Sequence, residues 1–468
     1  MNPHDVQIRA VRWHALPVQT RLPLKFGHET VTSVACARVC LTVSRADGSR
    51  AEGWGETPLS VQWVWPSAVP YEVRFKAMQD FCDLLTEAYA QFPAQGHPME
   101  IGYDFIEAVL PKLLQAFNAT LPKGVVMPTL AALVCASPFD LALHDAYGVV
   151  NEVPTYLTYQ APWMNRDLSA YLTPAADAPQ VSFSGKYPVN FFRQPVETKL
   201  LAWHLVGGLD YLTLAEAGAH VLQDGYPSSL DAWIKRDGLK ALKVKLRGND
   251  APWDFARMKQ VAEIGLALGV ELFTADFNCT VMDPAYVNGV LDRIKAELPE
   301  LWSRLSYVEQ PFPYELEDHP IDVHSVSARM PLFLDESAHD WRIVRLGREL
   351  GWTGVALKTC KTQTGALLSL CWARAHGMQL MVQDLTNPMM AQMTHLLLAA
   401  HAPTIAGVET NAMQFYPEAS SAEAKIHPGL YRRQAGQIDG GTLSGPGFGY
   451  RLNEIDRKLP AARMSSPA

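Results

Sequence analysis

Charged residues recur in the second half of the chain, each at the end of a short apolar run. Neighbours in this set are separated by about the length of one strand plus one helix, except for the last gap, which spans two such units because the run that ends in Gln383-Asp384 lies between. Catalytic groups of parallel α/β barrels lie at the carboxyl ends of different strands, so residues spaced in this way should converge on one mouth. The set consists of Lys245, Asp276, Glu309, Asp335, Lys358 and Glu409.

Three acids stand next to one another in this order. If the apolar runs are strands 2 to 8 of a ring, Asp276, Glu309 and Asp335 end three adjacent strands. Three carboxylates that face one mouth repel each other, and a hard divalent cation would relieve that repulsion. Oxygen ligands favour Mg²⁺ or Mn²⁺, so the acids are predicted to be metal ligands.

Two lysines flank the acids. Lys245 would end strand 2 and Lys358 strand 6, which lie opposite each other in a ring of eight. Opposed amines suit removal of a proton from one face of a carbon and its delivery to the other. A proton next to a carboxylate is weakly acidic, and a cation would stabilise the second negative charge that forms when it leaves. The base must be neutral, and Lys243, on the same strand face as Lys245, would help to lower the pKa of Lys245.

Other polar residues near these strand ends are candidates for a supporting role. Glu336 follows Asp335 and could bind or orient Lys358, while Asn278 shares a strand face with Asp276 and could bind a ligand. Asp384 ends the strand-7 run, and Glu409 is equally compatible with a site role and a structural one. A single Asp or Lys at a strand end is usually a turn or cap residue, so the prediction depends on the ordered set.

The elements that would position these residues follow from the hydrophobic pattern. From residue 240, seven apolar runs alternate with amphipathic stretches, and the run LLAWHLV at 200–206 would make an eighth strand. Eight βα units predict a (β/α)₈ barrel of the TIM type. Before it, residues 7–56 resemble β structure with a turn at Asp47-Gly48, and helices are expected at 71–92 and 103–117, which together indicate a small α+β domain. A further helix is expected to start at Ser137 as its cap, with Pro138 in the first turn and Gly148 as its end.

The length of 468 residues suits one large and one small domain. We expect an N-terminal α+β capping domain at 1–134 and a barrel at 135–410 with an insertion at 151–235. A C-terminal segment at 411–468, with the tail GTLSGPGFGYRL, is expected to return to the cap as a strand.

Composition excludes several classes of partner. The net charge of -8 with scattered Lys and Arg argues against nucleic acid and anionic membranes, and no apolar run reaches the length of a membrane span. The first residues do not resemble a secretory signal, and the seven Cys form no zinc pattern, so a cytoplasmic protein with reduced thiols is expected. The expected partner is a small-molecule carboxylate, and a homo-oligomer is compatible with the sequence.

Several motifs resemble those of the enolase superfamily: LKVKL, TADFN, VEQPF, LDES, ALKTCKTQTG, GWGETP and GPGFGY. The similarity is greatest to the muconate lactonizing enzyme subgroup, which pairs a Lys-x-Lys on strand 2 with a Lys on strand 6. The resemblance implies an enolase-like modified barrel with a cap and an Mg²⁺ site at Asp276, Glu309 and Asp335. It also implies acid–base roles for Lys245 and Lys358, and lid loops at 25–27, which include Phe26, and at 57–65.

Departures from the family pattern leave the reaction open. The chain has Thr364-Gly365 where a Gly pair is usual, and VETN lacks the paired Asp of dipeptide epimerases. Racemisation or epimerisation, cycloisomerisation, and dehydration of the acid-sugar or o-succinylbenzoate type all start from the same proton removal. Two further hypotheses are a Schiff-base lyase that uses Lys358, which leaves the three acids unexplained, and a non-catalytic metal-binding relic of the fold.

Overall fold

The structure is a computed structural model that describes residues 2–26 and 29–467, without the side chain of Phe26. The predicted lid segment at 25–27 therefore lies partly outside the described residues. The side chain of Phe26, which was predicted to have a role in the site, lies outside them as well. Across the described ranges, no helix is long and apolar enough to cross a membrane.

The N-terminal part is an antiparallel sheet covered by helices. Its strands pair in the order β1-β2-β3, and both β4 and the last strand of the chain (Met464–Pro467) pair with β1. The predicted turn at Asp47-Gly48 lies between β2 and β3, with Gly48 at a positive φ of 88°. The elements are β1 (Val6–Phe26), β2 (Glu29–Arg45), β3 (Arg50–Pro58), α1 (Val61–Val64), α2 (Tyr71–Ala90), β4 (Gln95–Gly96), α3 (Pro98–Ala108) and α4 (Leu110–Asn118).

Two helix predictions need correction. The helix expected at 103–117 is divided into α3 and α4 at Val109, next to Pro111, which lacks the N–H that a continuous helix would use. The helix expected to start at Ser137 starts earlier, as α5 (Thr129–Val150), with Pro138 in its interior. Ser137 is not a cap: its hydroxyl donates a hydrogen bond to the carbonyl of Thr359 at 2.8 Å. The apolar stretch LAALVCA before Ser137 is buried on every side, and this burial favours the longer helix.

Eight parallel strands form the barrel, and the run at 200–206 is the first of them, as expected. They pair in the order β11-β10-β9-β8-β7-β6-β5-β12. The ring closes where Val408 pairs with Ala202 and the N–H of Ile405 donates to the carbonyl of Leu380 at 2.9 Å. The strands are β5 (Lys199–Val206), β6 (Ala241–Lys245), β7 (Leu272–Asp276), β8 (Leu305–Glu309), β9 (Leu332–Leu334), β10 (Gly354–Leu357), β11 (Gln379–Val382) and β12 (Val408–Glu409).

Helices surround this ring, so the fold is the modified (β/α)₈ barrel with an N-terminal cap that was predicted. Asp250, Asp283 and Asp340 cap three of these helices by accepting hydrogen bonds from first-turn N–H groups. Large side chains fill the barrel interior, among them Trp203, Tyr307 and Phe333. The helices are α6 (Leu214–Ala217), α7 (Leu230–Asp237), α8 (Ala251–Ala267), α9 (Pro284–Glu297), α10 (Pro299–Arg304), α11 (His324–Ser327), α12 (Trp341–Leu350), α13 (Gln363–Ala375) and α14 (Met389–His401).

The tail returns to the cap, but not through the segment expected. Positive φ angles at Gly445, Gly447 and Gly449 prevent a strand in GPGFGYRL. The pairing is instead made by the last strand, which runs antiparallel to β1. The tail contains α15 (Ala412–Phe415), α16 (Ser421–Ile426), α17 (Pro428–Tyr431), β13 (Gln437–Asp439) and β14 (Met464–Pro467).

Candidate active site

The strand-end residues converge on one end of the barrel. Lys245, Asp276 and Glu309 are direct register partners across β6, β7 and β8, so their side chains lie side by side. Asp335 follows β9 and Lys358 follows β10. All five are buried, with Lys245 the most exposed at 8%.

Lys243 lies at the centre of the acids. Its Nζ is 3.1 Å from Asp276 Oδ2 and 3.0 Å from Glu409 Oε2, and it donates a hydrogen bond to Glu309. Gln383 also donates to Glu309, at 2.5 Å. Burial penalises the charged amine, but the surrounding carboxylates outweigh it and hold the pKa of Lys243 well above its usual value. Lys243 is therefore a buried ammonium that neutralises the acids around it.

Among the described residues, Lys245 has one acidic partner within ion-pair distance. Its Nζ lies 2.5 Å from Asp276 Oδ2, the oxygen that Lys243 also contacts. The other oxygen of Asp276 accepts a hydrogen bond from the N–H of Asn278 at 2.9 Å. Burial alone would raise the pKa of Asp276, but the two ammonium groups lower it below its usual value.

Lys358 occupies the opposite side of the ring. Its Nζ is 3.2 Å from Asp335 Oδ1 and donates to the carbonyl of Asp384 at 3.1 Å. It also lies 5.1 Å from the ring centroid of Trp63, a residue of the cap. Burial lowers the pKa of Lys358, but Asp335 counters it, so that the pKa stands above its usual value.

Two residues of this site were not among the predicted site residues. Lys361, on the short 3₁₀ turn after Lys358, donates to the carbonyl of Asp335 and lies 5.6 Å from the Trp63 ring. Glu336 was expected to bind or orient Lys358. Its hydrogen-bond partner is instead Trp63, which donates from Nε1 at 3.0 Å. Lys361 could have been predicted from its position three residues after Lys358. Trp63 could have been predicted from its place in the expected lid at 57–65.

Asn411 organises the remaining acids. Asp384 accepts from its backbone N–H at 2.9 Å and from its side-chain amide at 3.2 Å, and Glu409 accepts from the same amide at 2.7 Å. Asn278 lies beside Asp276, and the described part of the chain supplies no hydrogen-bond partner for its side-chain amide. Asp384 and Glu409 are therefore linked to each other through Asn411, whereas the side-chain amide of Asn278 is available to bind a ligand.

Both Lys245 and Lys358 line one small cavity of about 40 Å³. Since β6 and β10 are four strands apart in the ring, the two amines approach this cavity from opposite sides. Residues of the cap, including Leu24, Val31 and Trp63, close it from above. A carbon atom held in the cavity would thus have one amine on either face.

The composition of the site fits a divalent cation. Six buried carboxylates face four buried lysine ammonium groups, so two negative charges are left uncompensated when all are ionised. In line with this excess, burial and the neighbouring acids raise the pKa of Glu336 to about 7. Glu336 Oε2 has no hydrogen-bond donor among the described residues. The carboxylates are Asp276, Glu309, Asp335, Glu336, Asp384 and Glu409, and the lysines are Lys243, Lys245, Lys358 and Lys361.

The described side chains do not already form a metal cluster. Within residues 2–26 and 29–467, no three His, Cys, Asp or Glu side chains are grouped so as to hold an ion. Asp276 and Glu309 each contact the Lys243 ammonium through one oxygen. The charge and the oxygen ligands of the site suit Mg²⁺.

Solved structures with this fold were found for almost the whole chain. A dipeptide epimerase from Enterococcus faecalis, complexed with Mg and the dipeptide L-Leu-L-Tyr, is 16% identical with a TM-score of 0.62, over 95% of this chain and 99% of the other. An N-succinyl Arg/Lys racemase from Bacillus cereus is 16% identical with a TM-score of 0.61, over 99% and 100%. An enolase superfamily member from Roseovarius nubinhibens, complexed with magnesium, is 18% identical with a TM-score of 0.59, over 99% and 100%.

Sequence comparison agrees with the motifs. Residues 226–456 match the family described as enolase C-terminal domain-like, so the resemblance to the enolase superfamily is confirmed. No curated protein is similar enough in sequence to count as a match.

Proposed function

We propose that the protein removes and returns the α-proton of a carboxylate substrate, as a racemase, an epimerase or a cycloisomerase does. The observation that carries this proposal is the approach of Lys245 and Lys358 to one cavity from opposite sides of the barrel. Two of the similar structures are named as an epimerase and a racemase, which supports an isomerase-type outcome.

The surroundings of each lysine suggest its role. Asp335 favours the ammonium form of Lys358, so Lys358 is the proton donor in one direction of the reaction. Lys245, on the other face of the α-carbon, then accepts the proton, and the roles exchange in the reverse direction. Lys243 is kept charged by three carboxylates, so we assign it a positioning role and not that of a base.

Asp276, Glu309 and Asp335 are the residues that would hold Mg²⁺. When bound, the ion supplies positive charge that stabilises the negative charge developing on the substrate. The Mg in the epimerase complex supports this assignment, and so does the excess of buried carboxyl groups over buried lysines at the site. A Schiff-base reaction at Lys358 is less well supported, because it gives the three carboxylates Asp276, Glu309 and Asp335 no role.

The test is incorporation of deuterium from solvent into the α-position, followed by NMR with Mg²⁺ and a set of N-acetyl amino acids. Lys245→Ala and Lys358→Ala should each lower interconversion of enantiomers at least about 10³-fold, since each removes one of two acid–base groups. Each variant should also retain proton exchange from one enantiomer only. Lys240→Ala is the matched control, because Lys240 is a partly exposed residue that pairs with Glu271 just before β6.

Chelation by EDTA should abolish exchange, and added Mg²⁺ should restore it. Wild-type rates of exchange in both lysine variants would remove them from the mechanism. Cycloisomerisation and loss of water begin with the same proton removal, and analysis of the products by mass spectrometry separates these outcomes.

A further inference from the structure

The cavity between Lys245 and Lys358 has an aliphatic wall on the cap side. Leu24 on β1 and Val31 and Val34 on β2 line it, and each side chain is at most 5% exposed. These three residues belong to an apolar cluster that also contains Leu205 and Phe415. The wall is therefore continuous with a packed hydrophobic layer under the β1–β2 hairpin.

The charged residues that line the cavity all belong to the buried carboxylates and lysines of the candidate active site. Asp335 is paired with Lys358, Glu409 with Lys243 and Asn411, and Asp384 with Asn411. Among the described residues, the aliphatic wall thus offers no cation to a second substrate carboxylate and no free anion to a substrate ammonium group. A charged group buried against such a wall loses its hydration without compensation.

Neutral polar groups have a place on the same lining. Ser60, Thr386 and Tyr416 present hydroxyl-bearing side chains at the edge of the cavity. A hydroxyl can donate to or accept from an amide, but it does not neutralise a full charge.

The geometry of the α-carbon decides which substrate group meets the aliphatic wall. Its proton must point at one of the two lysines, and the carboxylate must lie towards the acids and their cation. The remaining substituents then face the hairpin that closes the mouth. The cavity of about 40 Å³ holds roughly three water molecules, so a short substituent fits best and a longer one requires the hairpin to lift.

We propose that the substrate is a monocarboxylate whose α-substituent facing the hairpin is uncharged and aliphatic, with any further polar group neutral. This inference rests on the proposed function and adds the substrate class. Leu24, Val31 and Val34 are the residues that determine this specificity.

The experiment compares the N-acetyl derivatives of alanine, valine, leucine, glutamate and lysine in the deuterium exchange assay. The valine or leucine derivative should exceed both charged derivatives in kcat/KM by at least about 100-fold. Val34→Thr, which keeps the side-chain shape, should narrow this preference about tenfold, and Leu24→Arg should favour the glutamate derivative. Val18→Thr is the matched control, because Val18 belongs to the same apolar cluster but does not line the cavity.

Two outcomes overturn different claims. Exchange that is as fast or faster with the glutamate or lysine derivative would overturn this inference while it leaves the proposed function intact. If none of the five derivatives exchanges its α-proton, the proposed function is contradicted for N-acetyl amino acids. Binding of the same derivatives, measured by calorimetry, then tests the substrate preference independently of catalysis. Tighter binding of the leucine derivative than of both charged ones would support the aliphatic wall, and equal or weaker binding would overturn it.

Discussion

Two lysines on one strand face have different roles because their neighbours differ. Both lysines line the cavity, but Lys243 is surrounded by three carboxylates, whereas Lys245 contacts one among the described residues. An ammonium with several buried partners is costly to remove, since each partner is left with an uncompensated charge. We therefore propose that the same residue type has a structural role at position 243 and a role in proton transfer at position 245.

A matched pair of substitutions tests this difference. Lys243→Met should lower the free energy of unfolding in the absence of divalent cations by about 3–5 kcal/mol, because it breaks a buried ion-pair cluster. Lys245→Met should cost markedly less, since it removes one contact. Urea unfolding followed by fluorescence measures both, and equal losses would contradict the distinction.

The sequence allowed the strand-end residues to be predicted, but not their pairing. Lys358 and Asp335 were recognised because each follows an apolar run at the spacing of a βα unit. The contact of Lys243 with Glu409 joins the second and eighth strands and depends on closure of the ring. Trp63 was missed as a partner of Glu336 because this hydrogen bond forms only when the cap docks on the barrel.

The β1–β2 hairpin is held over the site by an ion pair with the loop after β5. Arg21 donates to Asp224 through Nε at 2.7 Å and Nη2 at 3.0 Å, and to the carbonyl of Pro227 at 3.2 Å. Its guanidinium also lies 5.7 Å from the Tyr226 ring. The segment predicted as an insertion therefore supplies the anchor of the hairpin.

Loss of this anchor should weaken closure over the substrate. Asp224→Ala should raise KM about three- to tenfold with a smaller change in kcat, since a bidentate surface pair contributes on the order of 1 kcal/mol. The exchanged pair Arg21→Asp with Asp224→Arg should recover much of the loss. Glu52→Gln is the control, because Glu52 makes a similar bidentate pair with Arg12 away from the hairpin tip. An unchanged KM in Asp224→Ala would show that the ion pair does not govern closure.

Element types were easier to predict than their limits. The alternation of apolar runs and amphipathic stretches identified the barrel, because parallel strands are buried on both faces. The start of α5 was misplaced because Ser137 and Pro138 resemble a helix start, whereas here the serine hydroxyl bonds to Thr359. Burial of the preceding turns outweighed that local signal.

At the scale of the whole molecule, Asp145 joins three parts of the chain. It lies on α5 and accepts hydrogen bonds from the N–H of Trp54 in β3 at 2.9 Å and of Phe448 in the tail at 2.7 Å. Burial raises the pKa of its carboxyl to about 7, and these two hydrogen bonds offset only part of that effect. The cap, the barrel and the tail thus meet at an acid whose charge is disfavoured.

This raised pKa predicts how stability changes with pH. Between about pH 4 and 7 the native state keeps the proton that the unfolded chain has released, so the contribution of Asp145 to stability falls as pH rises through this interval. A pKa displaced by about 3 units corresponds to a fall of up to about 4 kcal/mol. Asp145→Asn cannot ionise, so although it loses one acceptor, its stability should vary less with pH. Urea midpoints from pH 4.5 to 7.5 measure this, with Asp283→Asn, an exposed helix cap, as the control that keeps the wild-type slope. A slope in Asp145→Asn equal to that of wild type would mean that Asp145 is ionised in the native state throughout, and that the pH response of the fold originates elsewhere.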